Sequence, residues 1–307
     1  MKKYLKCEKG YTPCPEYEPG VWIDIQNPSP DDMIYLVEQL HVPASFLQAL
    51  ADSDERPRYD MEGGWTMTIL RTPTPGNDDS IPYQTVPLGI LASGDVILTV
   101  SFFNSPLIDD FIQYSQRREI CVRTVADFTL HILLSTTFWF QTYLKQMTRA
   151  VTGAEHDLEH SIRNSDLRSL MRLQQSLVFF NTSLRGNQAL LVRLNRVYGD
   201  SFDHDLYDDL EVELKQADNT VSVYTDILEG TMDAYGSIIS NNVNQVMKRM
   251  TAITIVLMVP TLVASFYGMN VKGLAFAVLT GGFYIVILIA LVLTIATYIC
   301  MRRLEWI

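Results

Sequence analysis

Short polar side chains fall into a regular pattern near the C-terminus. Asn244, Met247, Thr251, Thr254, Met258, Thr261 and Ser265 recur at alternating steps of three and four, so a helix places them on one face. Ile253, Val256, Leu257, Val259, Leu262, Val263 and Phe266 cover the other faces. A polar stripe on an apolar helix faces protein or water, not lipid. Two roles fit it: helix–helix packing through small residues, and the lining of a pore. A lone pair of membrane helices cannot enclose a pore, so the second role requires an oligomer. A second group is acidic: Asp200, Asp203, Asp205, Asp208, Asp209, Glu211 and Glu213. A third, His156-Asp157-Leu158-Glu159-His160, has the spacing of a zinc-peptidase helix. No third ligand accompanies it, and it reads as the charged face of a solvated helix. His41, His131 and His204 are isolated and read as structural.

The stripe needs a helix, and the proline pattern supplies one. Twelve of the 13 prolines lie at or before Pro106, and the last is Pro260. Proline interrupts helices, so the tract between them can be helical throughout. Leu167, Leu170, Leu173, Leu177 and Phe180 repeat at helical steps within a pattern running from about Val125 to Arg196. Tyr198-Gly199-Asp200-Ser201 breaks it. Leu206, Leu210, Leu214, Ala217, Val221, Tyr224, Leu228, Met232, Tyr235 and Ile239 then continue in the same period, predicting one helix from near Asp205 to about Tyr267. The first hundred residues instead predict strands at Val21–Ile25, Trp65–Leu70, Val86–Leu91 and Val96–Val100, with a helical pattern over Pro30–Ala51.

Two stretches are apolar enough to cross a bilayer. Met250–Tyr267 holds 18 uncharged residues and Leu274–Met301 holds 28, against the ~20 a span requires. Lys248 and Arg249 precede the first and Arg302 and Arg303 follow the second, which predicts both termini on the cytoplasmic side despite Lys272 in the connecting loop. The organisation expected is a cytosolic α/β domain over 1–125, a helical hairpin region over 126–199 and a stalk helix over 200–249. A first span at 250–270, a loop at 271–273, a second span at 274–301 and a tail at 302–307 follow. The formal net charge of -11 argues against a nucleic-acid partner and for cations. Cys7, Cys14, Cys121 and Cys300 fit no zinc or disulfide spacing and read as free thiols. The N-terminal Met1-Lys2-Lys3 is not followed by an apolar run and does not read as a signal peptide.

Tyr267-Gly268-Met269-Asn270, closing the first of two C-terminal spans, resembles the signature of the CorA family of divalent-cation transporters. The resemblance extends through Asp233-Ala234-Tyr235, Ser240-Asn241, Asn244, Met247-Lys248 and Met258-Val259-Pro260-Thr261. It reaches Trp22-Ile23-Asp24-Ile25 and Asp54-Glu55-Arg56-Pro57-Arg58 near the N-terminus. It implies a funnel-shaped homopentamer in a cell (inner) membrane, with five first spans lining the pore and passive flow driven by membrane potential. It implies no enzyme activity and no cofactor, only a transported and regulatory divalent cation, Mg2+ first. Gly268, Met269 and Asn270 would form the selectivity filter. Asn244, Met247, Met250, Thr251, Thr254, Met258, Thr261 and Ser265 would line or gate the pore. Asp208 and Asp209 would hold regulatory Mg2+ between subunits; without the resemblance, acids here are a solvated helix start favoured by the dipole.

Mg2+ dehydrates reluctantly, so amide oxygens of Asn270 and backbone carbonyls at Gly268 suit it with its waters kept. They also avoid the trap a carboxylate ring would make. The loop Val271-Lys272-Gly273-Leu274-Ala275 departs from the acidic loop usual in the magnesium branch. It looks closer to the zinc branch, which commonly replaces the Met. Alternatives are thus a Zn2+ transporter, proton-coupled or not, and a non-conducting membrane cation sensor or scaffold.

Overall fold

The computed structural model describes residues 2–76, 81–122, 124–160, 164–269 and 281–306, with side chains of 154–160, 164 and 200 left aside. The chain divides into two units at Gly230.

The first unit is built on a seven-stranded mixed sheet. Its strands are β1 (Lys2–Cys7), β2 (Tyr11–Cys14), β3 (Trp22–Gln26), β4 (Arg58–Glu62), β5 (Trp65–Pro75), β6 (Tyr83–Ser93) and β7 (Val96–Ser101), in the order β2-β1-β3-β7-β6-β5-β4. Only β3 and β7 run parallel; the other pairs are antiparallel. The helices are α1 (Pro30–Ile34), α2 (Ala44–Ala51), α3 (Leu107–Arg118), α4 (Val125–His160), α5 (Asn164–Tyr198) and the first part of α6 (His204–Tyr267). The central strands are buried on both faces, α4 and α5 packing on β5 and β6 and α2 on β6 and β7.

Three local outcomes differ from the sequence expectation. The pattern over Pro30–Ala51 is not one helix: α1 continues as a π-turn over Tyr35–Gln39, and a new helix starts at Ala44. Pro43 forces this, since its ring disfavours helix at the preceding residue, and His41 takes φ 56° in the turn. β5 and β6 are longer than predicted and contain Pro73, Pro75 and Pro87. These prolines stand where each strand has lost its second neighbour: β4 pairs with β5 only as far as Ile69, and β7 with β6 only from Gly89. A missing N–H costs nothing on such an edge. Third, Cys7 and Cys121 are bonded rather than free, their Cα atoms 5.6 Å apart across 114 residues of sequence. Spacing could not foresee this, because the β1–β2 hairpin meets the segment after α3 only in the folded sheet. Cys14 and Cys300 are free.

The Trp22-Ile23-Asp24-Ile25 segment organises the β1–β3–β7 end of the sheet. Tyr11, Trp22, Phe111 and Phe128 form one aromatic cluster with ring centroids 4.9 to 6.1 Å apart. Trp22 Nε1 donates to Thr99 Oγ1 (2.9 Å), which donates to Asp24 Oδ1 (2.7 Å), while Gln26 Nε2 donates to Asp24 Oδ2 (3.1 Å). Asp24 is 1% exposed, and desolvation pushes its carboxyl up to about 6, against those two hydrogen bonds and Lys3, its partner in register across β1. A raised folded-state value means the ionised form opposes folding. The penalty is absent below about pH 4, grows up to pH 6 and is full above it, at about 3 kcal/mol at the outside. Asp24→Asn is therefore expected to raise the melting midpoint of the protein at pH 7–8 and to lose that advantage at pH 4. An unchanged or lower midpoint at both pH values would contradict this.

The second unit holds the rest of α6 and α7 (Gly282–Arg303). α6 is unbroken over 64 residues, so at ~1.5 Å per residue it measures roughly 96 Å. Both α7 and the C-terminal part of α6 are long and apolar enough to cross a membrane, and almost nothing in either is buried by the chain itself. Residues 270–280, which include the predicted loop and the start of the second span, lie outside the described set.

Candidate ion pathway

All eight predicted pore or gate residues lie on the C-terminal part of α6. Asn244, Met247, Met250, Thr251, Thr254, Met258, Thr261 and Ser265 are each exposed in the single chain. Most of this part of α6 is left uncovered by the single chain, the stripe included. Among the described residues of α6 beyond Gly230, Ala252 is fully buried and Val263 is 9% exposed. At ~100° per residue these two lie roughly 140° from the centre of the stripe. The alternating steps of three and four also match an a/d heptad seam, the pattern by which parallel helices pack around a common axis.

The hydroxyls are committed to their own helix. Thr251 Oγ1 donates to Met247 O and Thr254 Oγ1 to Met250 O, each at 2.8 Å. Thr261 Oγ1 donates to Met258 O at 2.7 Å and lies 3.3 Å from Leu257 O. Pro260, inside the helix, lacks the N–H that would bond Val256 O; the Thr261 hydroxyl beside it supplies hydrogen bonding where the ladder is weakened. With their protons spent, these threonines offer outward only lone pairs, which suits the outward-pointing hydrogens of a hydrated cation.

At the helix end Gly268 N–H donates to Ala264 O (2.9 Å) and Met269 N–H to Phe266 O (3.3 Å). A Cβ on Gly268 would come within 3.3 Å of that Ala264 carbonyl, so glycine lets the helix close without crowding its last acceptor. Gly268 and Met269 are both exposed. Asn270 and Lys272 lie outside the described residues.

Sequence reasoning stopped the seam too early. A groove in the second unit is lined by Asp233, Ser237, Ser240 and Asn244, together with Met232, Gly236 and Asn241. Stepping back from Asn244 by four, three and four reaches Ser240, Ser237 and Asp233, so the signal was present in the same period. Asp208 and Asp209 stand exposed on the first turns of α6. Among the described residues no three His, Cys, Asp or Glu side chains gather as a metal site. His131, half-buried on α4, is held below its ordinary value by desolvation, with Asp127 and Asp203 opposing. His156 and His160 lie in the last turns of α4, their side chains outside the described set.

With this geometry in place, comparison with known proteins is direct. Residues 18–303 match the family described as CorA-like Mg2+ transporter protein. The cobalt/magnesium transport protein CorA of Methanocaldococcus jannaschii is 26% identical over 293 residues, covering 94% of this chain and 91% of that protein. The complete structure of the CorA magnesium transporter from the same organism matches with a TM-score of 0.85 at 24% identity, over 100% of this chain and 99% of that one. The cytoplasmic domain of ZntB from Vibrio parahaemolyticus matches with a TM-score of 0.60 at 15% identity, over 80% of this chain and 98% of that one. Both structural likenesses show a shared fold. The family match, running from just before β3 through the long helix and both apolar helices, decides the identity: the chain belongs to the CorA-like Mg2+ transporter family and is a membrane-embedded divalent-cation transporter, not an enzyme.

Proposed function

We propose that the chain forms a homopentameric, membrane-potential-driven channel for divalent cations, Mg2+ first, with the α6 stripe lining its pore. The observation that carries this reading is the stripe itself: an amide, hydroxyls and methionines recur at a/d steps along one face of a membrane-length helix, each exposed in the single chain. A membrane helix cannot leave such a stripe in lipid, and two helices cannot close around it, so copies of the chain must. The potential supplies ~2.3 kcal/mol per charge per 100 mV, hence roughly 4.6 for a divalent ion, and no nucleotide site is needed. Met247, Met250 and Met258 place apolar rings within the seam, where dewetting can close it. Mg2+ and Co2+ are the ions named for the jannaschii relative. The likeness to ZntB is one of fold and does not favour Zn2+ over them.

Cysteines introduced at Thr254, Thr261 and Ser265 should react with water-soluble thiol reagents in conducting protein, while cysteines at Val256 and Val263 should not, all in a background lacking Cys300. Equal labelling of both sets would overturn the assigned face. Native mass spectrometry in mild detergent should give five chains, and a stable monomer or dimer would remove the pore.

Both termini are assigned to the cytoplasm from the basic residues flanking the spans. Asp208 and Asp209 would then sit where intracellular Mg2+ can bind between subunits and close the channel. Neutralising both with asparagine should raise the internal Mg2+ needed for half-inhibition by about tenfold, the effect of losing ~1.4 kcal/mol of binding. Unchanged inhibition would place regulation elsewhere.

A further inference from the structure

The bonded cysteines sit in a setting that gives their chemistry a purpose. Cys7 ends β1, and Cys121 lies three residues past the end of α3. Around them the β1–β2 hairpin already grips the segment that leads to α4. Tyr11 N–H donates to Ser115 Oγ (3.1 Å), Gln116 Nε2 donates to Tyr11 O (2.7 Å), and the Tyr11 hydroxyl donates to Val122 O (3.2 Å). The disulfide is the covalent member of this clip. α4 starts at Val125 and runs 36 residues, so the clip fixes where a principal helix of the first unit begins. Cys121 is exposed and Cys7 half-buried. Both residues line an open cavity of about 440 Å3 together with Lys6, Glu18, Trp22 and Asp95. Reach to the attacked sulfur governs exchange, and the cavity opens beside this pair. A surface disulfide in a domain assigned to the reducing cytoplasm is not a permanent staple; such bonds there are transient or redox-sensing.

We propose that Cys7 and Cys121 form a reversible thiol–disulfide site, oxidised by small disulfides of the glutathione class, that locks the α3–α4 link to the β1–β2 hairpin and thereby alters transport. One cysteine thiolate attacks the small disulfide, whose S–S bond breaks and releases one thiol that takes up the proton. The second thiolate attacks the protein sulfur of the mixed disulfide and releases a second small thiol. Two cysteine thiols are oxidised and one small disulfide is reduced to two thiols.

The site itself is read without reference to transport; the effect on flux rests on the function proposed above. Full-length protein is treated with oxidised glutathione or with dithiothreitol, denatured, and its alkylated thiols counted by mass. Of the four cysteines, two should be alkylated after oxidation and four after reduction. The oxidised protein should melt roughly 5–10 °C above the reduced one. In proteoliposomes, Mg2+ uptake should differ at least about five-fold between the two states, the lower end of ordinary coupling between sites. Cys14→Ser should keep both differences, and Cys7→Ser or Cys121→Ser should abolish them. Four free thiols after oxidised glutathione, or a stable glutathione adduct in place of the bond, would overturn the site. A bond that forms while uptake stays equal would overturn its link to transport. Absence of uptake in every protein and both states would instead sink the transport reading, leaving thiol counts and melting to decide the site.

Discussion

Replacing Asn270 with alanine is expected to cut divalent-cation flux at least about 100-fold. A Mg2+ ion that keeps its waters presents a shell of hydrogens, and a side-chain amide oxygen accepts from them without the tight hold of a carboxylate. Each such hydrogen bond is worth ~1 kcal/mol, more beside a charge, and a homopentamer would lose five at once. Loss of only three would raise the barrier by ~3 kcal/mol, already over 100-fold in rate. The measurement is potential-driven Mg2+ uptake into proteoliposomes, normalised to reconstituted protein. Wild-type-like uptake by Asn270→Ala would remove the selectivity assignment. Lys272 provides the companion test. If five lysines faced the pore mouth they would repel divalent ions, and Lys272→Glu would raise uptake of all of them, most at low salt. Screening over ~8 Å at physiological ionic strength would shrink that gain. If Lys272 meets lipid headgroups instead, Lys272→Glu leaves uptake unchanged and ion choice rests on the seam and Asn270.

What could be read from the sequence follows from how local each signal is. α6 was legible almost to its last residue, because proline-free helical periodicity is a property of neighbours along the chain. The helix runs His204–Tyr267, against a prediction from near Asp205 to about Tyr267. The stripe on α6 was legible for the same reason; Ser240, Ser237 and Asp233 continue its period N-terminally of Asn244. The β1–β2 hairpin, β4 and α3 were not read. Tyr11-Thr12-Pro13-Cys14 and Arg58–Glu62 become strands as arms of short hairpins with β1 and β5, not by their own alternation. Prolines misled in both directions: Pro43 broke a pattern that looked continuous, while Pro73 and Pro87 proved compatible with strands because their neighbours on one side had ended. The Cys7–Cys121 bond depends on a sheet that brings residues 114 positions apart together, and no spacing rule carries that information.

The Asp54-Glu55-Arg56-Pro57-Arg58 segment was visible as a motif, but its work became clear only through Arg71, and Arg71→Met is expected to be the most damaging single change in the first unit. Arg71 lies on β5 two residues beyond Ile69, the last to pair with β4. Its outward backbone would be a bare edge, but the fully buried Asn187 of α5 accepts from its N–H (3.0 Å) and donates to its carbonyl (2.9 Å). Arg71 is only 7% exposed, and its guanidinium donates to the carbonyls of Ser53, Glu55 (3.2 Å) and Thr85 (2.5 Å) and to Thr85 Oγ1 (2.8 Å). The loop from Asp52 to Pro57 is thereby pinned to the sheet, and Pro57 presses so closely on α5 that a Cβ at Gly186 would lie 2.8 Å from it. Burial lowers the Arg71 pKa from its ordinary value and Asp54, Asp52 and Glu55 raise it. Methionine fills similar volume but strands three carbonyls and leaves those acids without their cation. A buried carbonyl left without its donor costs ~1–3 kcal/mol, and the carbonyls lost together here amount to a large share of the ~5–15 kcal/mol that holds a typical domain together. Lysine keeps the charge but not the planar fork of donors, so Arg71→Lys should fall between methionine and wild type. The prediction is read as the yield of detergent-soluble folded protein and its melting midpoint. Because none of these residues lies on the α6 seam, Mg2+ uptake per folded protein should stay at the wild-type level in whatever fraction folds. A midpoint for Arg71→Met within about 2 °C of wild type, where ~1 kcal/mol shifts a unit of this size by 2–4 °C, would mean the loop is held by something other than this arginine.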